Sequence, residues 1–369
     1  MKQRWVQVTL KPLLALGLAA GFWGVQAQEA QTDLLDWRQA NEAVGQFPRG
    51  HADVLRWEQS QTPPAVTADS EATAAFRLAS ADDAVRAAWS ARRELANPLA
   101  QVGRQTAGHI AAGHWGLLDP GLQRRIHGVD KLLEVAATTR KAWIAAVAAR
   151  ETVEHLENAL TAAEAAAELG QRMVRVGNWG RYQQAPLALG ESSARQELRR
   201  ARLAAQQAEW ALLKALGLDT VYDQVALPNR LPKVSTAPLG KDELGQRLEA
   251  LQKHLPLAER RQAGRNATQA YAAYTASIDA YRSFREDVLR QREIISEETL
   301  FRYNGMLEST WGLLADVGAR SQAVVATIDA QRTALIAETD LQWVLQGGRP
   351  DAFVSLGGGA QGAAAQPGH

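Results

Sequence analysis

A long helical segment, a short turn that contains glycine and a second helical segment follow one another twice in this chain. The first turn lies in residues 172–178 and holds Gly177, and the second lies in residues 300–307 and holds Gly305. Glycine is common directly after a helix because it adopts a left-handed backbone without steric cost. We therefore predict two long helical hairpins with these glycines as C-caps, and hypothesise a left-handed backbone at Gly305.

Small and apolar residues recur at spacings of three and four along both arms of the first predicted hairpin. They are Leu156, Leu160, Ala163, Ala167, Gly170 and Val174 before the turn, and Ala194, Leu198, Ala201, Ala205, Ala208, Leu212 and Ala215 after it. This spacing is typical of coiled coils, and alanine lets two backbones approach closely. A helix of roughly 45 residues would extend ~65 to 70 Å. Such lengths favour a duct wall or a rod over a compact enzyme.

The chain divides by composition into six segments. Residues 1–27 have a basic start, a short apolar run and an A-x-A-like site, as an export signal does. We expect an N-terminal extension and linker at 28–70, helical repeat 1 at 71–220, a Pro-rich connector at 221–240, helical repeat 2 at 241–347 and a disordered Gly/Ala-rich tail at 348–369. Within repeat 1, Ser80 is the expected cap of a helix that runs toward Gly103. Export places the protein in the periplasm or the outer membrane.

Composition and motifs exclude several function classes. A net charge of +1 gives no basic surface for nucleic acid, and the absence of cysteine excludes disulfides, thiolate metal sites and cysteine nucleophiles. The sequence contains no nucleophile elbow, no zinc-protease motif, and no phosphate-binding or dinucleotide-binding glycine loop. We therefore predict no enzyme activity and no cofactor.

Three histidines, His109, His114 and His127, lie in one glycine-rich stretch and raise the alternative of a metal site. Imidazoles do bind Zn²⁺ and Cu²⁺. However, the spacing of five residues between His109 and His114 does not aim two rings from one helix at one ion, and only Asp119 is a nearby carboxylate. We interpret them as solvated or locally hydrogen-bonded, and assign no metal ligand.

Several short motifs resemble those of TolC-like outer-membrane efflux proteins, the exit ducts of bacterial tripartite pumps, including the type associated with heavy-metal and copper export. The second turn, residues 302–307 with Leu313 and Leu314 after it, resembles the second-repeat signature of that family. Residues 177–178, 197–202 and 212–218 fit the first hairpin, and 227–238 fits the connector. The resemblance covers residues 78–347 and implies an α-barrel protomer, a homotrimer, a periplasmic membrane-fusion adaptor and an inner-membrane pump as partners.

The resemblance also implies a role for the hairpin tips, which would contact the adaptor. The tip residues are Arg175, Gly177, Asn178, Trp179, Arg302, Tyr303, Asn304, Gly305 and Met306. Their alternative role is local, with glycines as caps and arginines as partners of the helix dipoles. Trp179 and Trp311 are either interface anchors or packing residues of the hairpin ends. Asp316 either faces the lumen of the duct or belongs to the wet face of its helix.

One part of the family pattern is missing from the sequence. Each repeat of the family carries a strand pair that needs ~9 to 11 residues of alternating polarity per strand. Residues 101–128 and 261–281 show no such alternation. We therefore predict a mainly α fold with little or no β-strand, and keep two functions open. One is a passive efflux component for small molecules or metal ions, and the other is a periplasmic helical interaction protein that does not conduct.

Overall fold

The computed structural model describes residues 76–235 and 237–353. The helices are α1 Ala81–Ser90, α2 Ala96–Val102, α3 Arg104–Ala111, α4 Leu122–Arg125, α5 Val129–Arg175, α6 Arg181–Leu216, α7 Lys241–Lys253, α8 Leu257–Arg282, α9 Arg290–Asn304 and α10 Thr310–Val344. A π-helical segment, Ser283–Leu289, joins α8 to α9 without a break. Within the described residues the strands are β1 Phe76–Arg77 and β2 Val225–Ala226, a short parallel pair. The prediction of a mainly α fold is confirmed, while the predicted signal peptide at 1–27, the extension and linker at 28–70 and most of the tail lie outside the described residues.

Four long helical arms form two antiparallel hairpins that lie side by side. The 47 residues of α5 correspond to about 70 Å of helix, and α6 returns along it through 36 residues. In the second hairpin α9 runs into the turn and α10 returns along α8 and α9. The hairpins meet through α5 and α10, so the arms follow one another in the order α6, α5, α10, α9. This order leaves α6 and α9 at the two edges of one layer of helices.

The first helix begins where the sequence predicts and ends earlier. Ser80 is the N-cap of α1, and its Oγ accepts a hydrogen bond from the backbone N–H of Asp83 at 3.1 Å. The expected continuation to Gly103 is wrong, because α1 stops at Ser90 and α2 starts afresh at Ala96. Pro98 accounts for the break, since it has no N–H for the carbonyl of Glu94 and is tolerated only in the first turn of a helix.

The buried core lies at the base, which is the end of the two hairpins away from their turns. Its largest fully buried side chain is Trp115, whose indole N–H donates to the carbonyl of Ile110 at 2.7 Å. Gln346, just after α10, donates through Nε2 to the carbonyl of Trp115 at 2.9 Å. Toward the turns burial falls, and α9 has no buried residue at all. The base therefore supplies most of the hydrophobic stabilisation.

The Pro-rich connector crosses the layer and joins both hairpins. Glu151 of α5 is 8% exposed, and its carboxylate contacts Arg230 at 3.2 Å and accepts from the backbone N–H of Leu231 at 3.0 Å. Gln331 of α10 donates to the carbonyl of Pro232 at 2.9 Å. At the end of the connector, the hydroxyl of Tyr274 in α8 accepts from the N–H of Leu239 at 3.3 Å. The connector thus spans α5, α10 and α8 in turn.

Two carboxyl groups of α10 have raised pKa values, buried Asp340 and half-buried Glu338. Asp340 is 3% exposed and lies 2.7 Å from the ammonium of Lys141, which in turn sits 5.6 Å from the centre of the Trp343 ring. Burial raises the pKa of Asp340, and the Lys141 partner opposes that rise. Burial also raises the pKa of Glu338, against the more distant attraction of Arg140. An ionised Glu338 is therefore unfavourable in the folded protein.

Replacing Glu338 by glutamine should stabilise the protein at neutral pH. A carboxyl group whose pKa is raised on folding favours the folded state while it is protonated, and that contribution is lost as the pH rises from the ordinary value of 4.5 through the folded value. Glu338→Gln stays neutral throughout, so its thermal midpoint should exceed that of the wild type at pH 7. The difference should disappear below about pH 4. A variant that is less stable at pH 7 would contradict this account.

Candidate functional site: the hairpin tips

The first tip is a tight turn that closes α5 through its own backbone. The N–H of Asn178 donates to the carbonyl of Met173 at 3.0 Å, and the N–H of Gly177 donates to the carbonyl of Val174 at 3.0 Å. Gly177 has a φ of +80°. These two bonds around a left-handed residue form a Schellman-type cap. Gly180 is the N-cap of α6, and its N–H donates to Oε1 of Gln183 at 2.7 Å.

The second tip has the same turn with a different residue in the left-handed position. Here the N–H of Leu307 donates to the carbonyl of Arg302 at 2.7 Å, and the N–H of Met306 donates to the carbonyl of Tyr303 at 3.0 Å. Met306 has a φ of +60°, whereas Gly305 has a φ of −83°. The hypothesis of a left-handed Gly305 is therefore wrong. The cap needs its left-handed residue one position later, where the hydrogen-bond pattern places it.

The two turns superimpose residue by residue once Met306 is matched with Gly177. In each, the N-cap of the returning helix follows three positions after the left-handed residue, at Gly180 and at Ser309. The Oγ of Ser309 accepts from the N–H of Gly312 at 3.0 Å. Matching the glycines of the two motifs shifts this alignment by one residue. The internal duplication is thus preserved in backbone geometry more closely than in sequence.

Trp179 and Trp311 bring the two tips together. Their ring centres are 4.4 Å apart with an angle of 31° between the planes. The pair joins the first turn to the first helical turn of α10, so it links one hairpin to the other. Such aromatic pairs contribute about 0.5 to 1.5 kcal/mol beyond the area that they bury. The two tryptophans therefore pack against each other between the hairpin ends, and both remain partly exposed.

The remaining predicted tip residues lie at the surface of the two turns. Arg175, Asn178, Arg302, Tyr303 and Asn304 are exposed. Arg175 and Arg302 stand in the last turns of α5 and α9, where a positive charge complements the helix dipole. Each tip therefore has an exposed arginine directly before its turn.

Of the exposed apolar side chains at the tips, the sequence analysis singled out only Met306. Val176 in the first tip is 68% exposed. In the second tip Phe301 is 69%, Met306 94% and Leu307 72% exposed. Apolar and aromatic residues next to arginine are the composition enriched in the buried parts of protein interfaces. Their signal in the sequence was the apolar run around the turn, which is equally typical of a buried segment.

The structure shows the surroundings of Asp316 and of two of the three histidines. Asp316 of α10 is 8% exposed, and its Oδ1 lies 3.7 Å from Nη2 of Arg292 in α9. Asp316 is therefore not on the solvated face of α10, because it is buried against Arg292 of α9. The rings of His109 and His114 are 6.4 Å apart. Across residues 76–235 and 237–353, no cluster of three or more His, Cys, Asp or Glu is arranged to hold a metal ion.

Three substitutions should separate the roles of the tip residues in stability. Gly177→Ala should lower the free energy of unfolding by about 1 kcal/mol, because alanine resists a left-handed backbone while no neighbouring atom obstructs its Cβ. Met306→Gly should raise it by about 1 kcal/mol for the converse reason. Gly305→Ala is the matched control and should be nearly neutral, since its Cβ would meet the carbonyl oxygen of Phe301 at an ordinary 3.5 Å. Urea unfolding measures all three, and a costly Gly305→Ala would contradict the assignment of the turn.

Within the described residues, no helix combines the length and the apolar character that crossing a membrane requires.

Comparison with known proteins gives matches among solved structures alone. No protein-family model and no curated protein matches the chain. It is similar to a membrane protein from Pseudomonas aeruginosa, at 15% identity and a TM-score of 0.47 over 64% of this chain and 74% of the other. It is also similar to the Campylobacter jejuni CmeC outer membrane channel, at 14% identity and a TM-score of 0.47 over 65% of this chain and 67% of the other. The chain is similar to CusC at 10% identity and a TM-score of 0.46 over 73% of this chain and 92% of the other. The CusC structures concern folding and transmembrane channel formation. These similarities assign neither a substrate nor a partner to this chain.

Proposed function

We propose that the chain is a protomer of a TolC-like efflux component, a passive exit duct for small molecules or metal ions at the outer membrane and in the periplasm. The observation that carries this proposal is a single layer of long helices whose two edge helices both expose apolar side chains. A layer with two uncovered apolar edges is completed by further copies of itself. Head-to-tail contacts of this kind generate a ring when the rotation closes.

The first edge is the outer side of α6. Tyr182, Leu189, Leu203 and Trp210 are 90%, 69%, 53% and 55% exposed. Their positions differ by seven, fourteen and seven residues, so they lie in one stripe along the helix. The buried residues of α6 are Leu198, Leu212, Leu213 and Leu216, which pack toward the rest of the protomer. The stripe is therefore a row of exposed apolar side chains at one heptad position of α6, interrupted at Gln196.

The second edge is formed by the π-helical segment and α9. Val288, Ile294, Ile295 and Leu300 are between 43% and 51% exposed. Glu293, Glu297 and Glu298 lie on the same helix, while Arg199 and Arg200 are exposed on α6. Opposite charges and apolar residues on the two edges support a contact between α6 of one copy and α9 of the next. The number of copies, a homotrimer, is taken from the family resemblance.

The tips supply the second contact of the proposed function. Phe301, Met306 and Leu307 project at the second turn, and Arg175 and Arg302 stand at the mouths of the hairpins. Such a surface suits a periplasmic membrane-fusion adaptor, which would connect the duct to an inner-membrane pump. Energy for export would come from that pump, since the sequence has no nucleotide-binding motif.

A second candidate is a periplasmic interaction protein that uses the same tips without conducting. The observation that favours it is the exposed apolar surface of the second tip, formed by Phe301, Met306 and Leu307. A single protomer already has this surface, so a partner could bind it without a ring. Conduction distinguishes the two candidates, because it requires a closed ring and tip binding does not.

Placing a charge in the α6 stripe should break the assembly. The double variant Leu203→Arg/Trp210→Arg puts two cations into the proposed contact, where unpaired buried charge typically costs several kcal/mol. Sedimentation analysis should find an oligomer for the wild type and a folded monomer for this variant. Ala204→Arg is the matched control, since it adds an exposed arginine about 100° around the helix from Leu203. A monomeric wild type, or an assembly unaffected by the double variant, would contradict the ring.

The exit-duct function itself should appear in two measurements on the exported protein. We expect it to stay with outer membranes through washes with high salt and carbonate, and the purified oligomer to conduct ions across a planar bilayer. The Leu203→Arg/Trp210→Arg variant should conduct nothing, because it forms no ring. Release by the washes together with absence of conductance would exclude the duct and leave the interaction protein.

A further inference from the structure

A wide groove lined with arginines lies between α7 and α8 at the base of the second hairpin. Its volume is about 820 Å³, and its lining includes Leu248, Arg260, Arg261, Gly264, Arg265 and Ala272. The arginines are exposed and stand in the first turns of α8. Half-buried Leu248 and exposed Ala272 add apolar surface to the lining, which also contains Gln252, Thr268 and Gln269. A groove that combines arginines with apolar surface is suited to an anionic amphiphile.

The positive charge of this groove is not balanced by ion pairs. Arg260 donates through Nε to the backbone carbonyl of Leu255 at 3.1 Å, and Arg265 donates to the side-chain amide oxygen of Gln262. The carboxylates nearest in sequence are engaged elsewhere, since Glu249 pairs with Lys253 at 3.0 Å and Glu259 lies 3.6 Å from Arg349. Within the described chain, the salt bridges include none to Arg260, Arg261 or Arg265.

The groove lies at the end of the protomer opposite the tips. From Arg261 the helix continues through the π-helical segment to Asn304, a distance of about 65 Å at the helical rise. Two exposed leucines lie at the same end. Leu257, the first residue of α8, is 79% exposed, and Leu117 is 69% exposed. Leu117 follows Gly116, where an added Cβ would lie 3.3 Å from Nη1 of Arg247 in α7.

We propose that this base docks on an anionic lipid surface, with lipid phosphates bound by Arg260, Arg261 and Arg265 and with Leu257 entering the headgroup region. Arginines bind the phosphate of a lipid headgroup and a soluble phosphate by the same chemistry, so the arginines alone do not distinguish the two. The apolar part of the lining and the exposed Leu257 and Leu117 favour a lipid, because a soluble anion would not contact them. Basic residues next to exposed apolar side chains are the usual pattern of a protein that lies on a membrane surface. The docking holds the protomer with its tips pointing away from that surface.

Vesicle sedimentation tests the proposal with the purified exported protein. The wild type should bind vesicles of phosphatidylcholine with 30% phosphatidylglycerol and should bind pure phosphatidylcholine vesicles far more weakly. Each basic residue near such a surface contributes about fivefold to partitioning, so Arg260→Gln/Arg261→Gln/Arg265→Gln should bind about 100-fold more weakly. Leu257→Gln should weaken binding without changing its salt dependence. Arg86→Gln/Arg282→Gln/Arg320→Gln, which removes the same charge from exposed sites outside the groove, is the matched control and should bind like the wild type.

Three outcomes would overturn the proposal. They are equal binding of the wild type to neutral and anionic vesicles, undiminished binding of a groove variant whose circular dichroism shows it to be folded, and equal loss in the control variant. Inorganic phosphate at 10 mM distinguishes the two sources of phosphate. If it raises the thermal midpoint of the wild type and not of the groove variant, while vesicles are not bound, the groove holds a soluble phosphate. The duct proposal is independent of these results, because the monomeric Leu203→Arg/Trp210→Arg variant keeps the groove intact.

Discussion

The packing of α5 against α10 holds the two hairpins together, and the other features of the layer depend on it. This contact contains a buried ion pair, Lys141 with Asp340, beside an apolar core in which Leu133 and Leu341 are fully buried. A buried ion pair adds little net stability, yet removing one partner leaves an unpaired charge. Losing one partner of this pair would therefore destabilise the contact more than the intact pair strengthens it. Since each hairpin is continuous from this contact to its turn, the register at the base sets where the tips meet.

The same arrangement explains why both edges of the layer remain uncovered. Each edge helix packs along one inner neighbour, so no helix among residues 76–235 and 237–353 lies along its outer side. At the base this is compensated, because α1 fills the space beside α5 and α6, and Arg92 binds the last carbonyls of α6 at 2.8 and 3.2 Å. Toward the tips, the described part of the chain contains no such element. Exposure of Leu189 on α6 and of Ile294 on α9 is thus a consequence of the topology.

Much of the fold follows from local rules that the sequence makes visible. The three-and-four spacing of Leu156 and Leu198 with their neighbours predicted the pairing of α5 with α6, and Ser80 predicted the start of α1. The left-handed residue of the second turn was not predictable, because Gly305 is the residue that propensity favours while the hydrogen bonds of the cap select Met306. The stacking of Trp179 on Trp311 was equally hidden, since it depends on how two hairpins align across the layer. Tertiary geometry decides such features, and a single sequence carries little trace of it.

A left-handed methionine carries a cost that a glycine at the same position would avoid. Met306 is 94% exposed, so its side chain gains no packing within the protomer to offset that cost. The neighbouring turn does use glycine in the equivalent place, so the cap itself does not require a side chain. Backbone strain retained at an exposed apolar residue, flanked by exposed Leu307, is most simply explained by a contact outside the protomer. The Trp179 and Trp311 pair supports the same point, because it holds the second turn against the first and keeps Met306 displayed at the end of the layer. Under the proposed function, this strained and exposed turn is where an adaptor would bind, while the buried core at the base provides most of the stability.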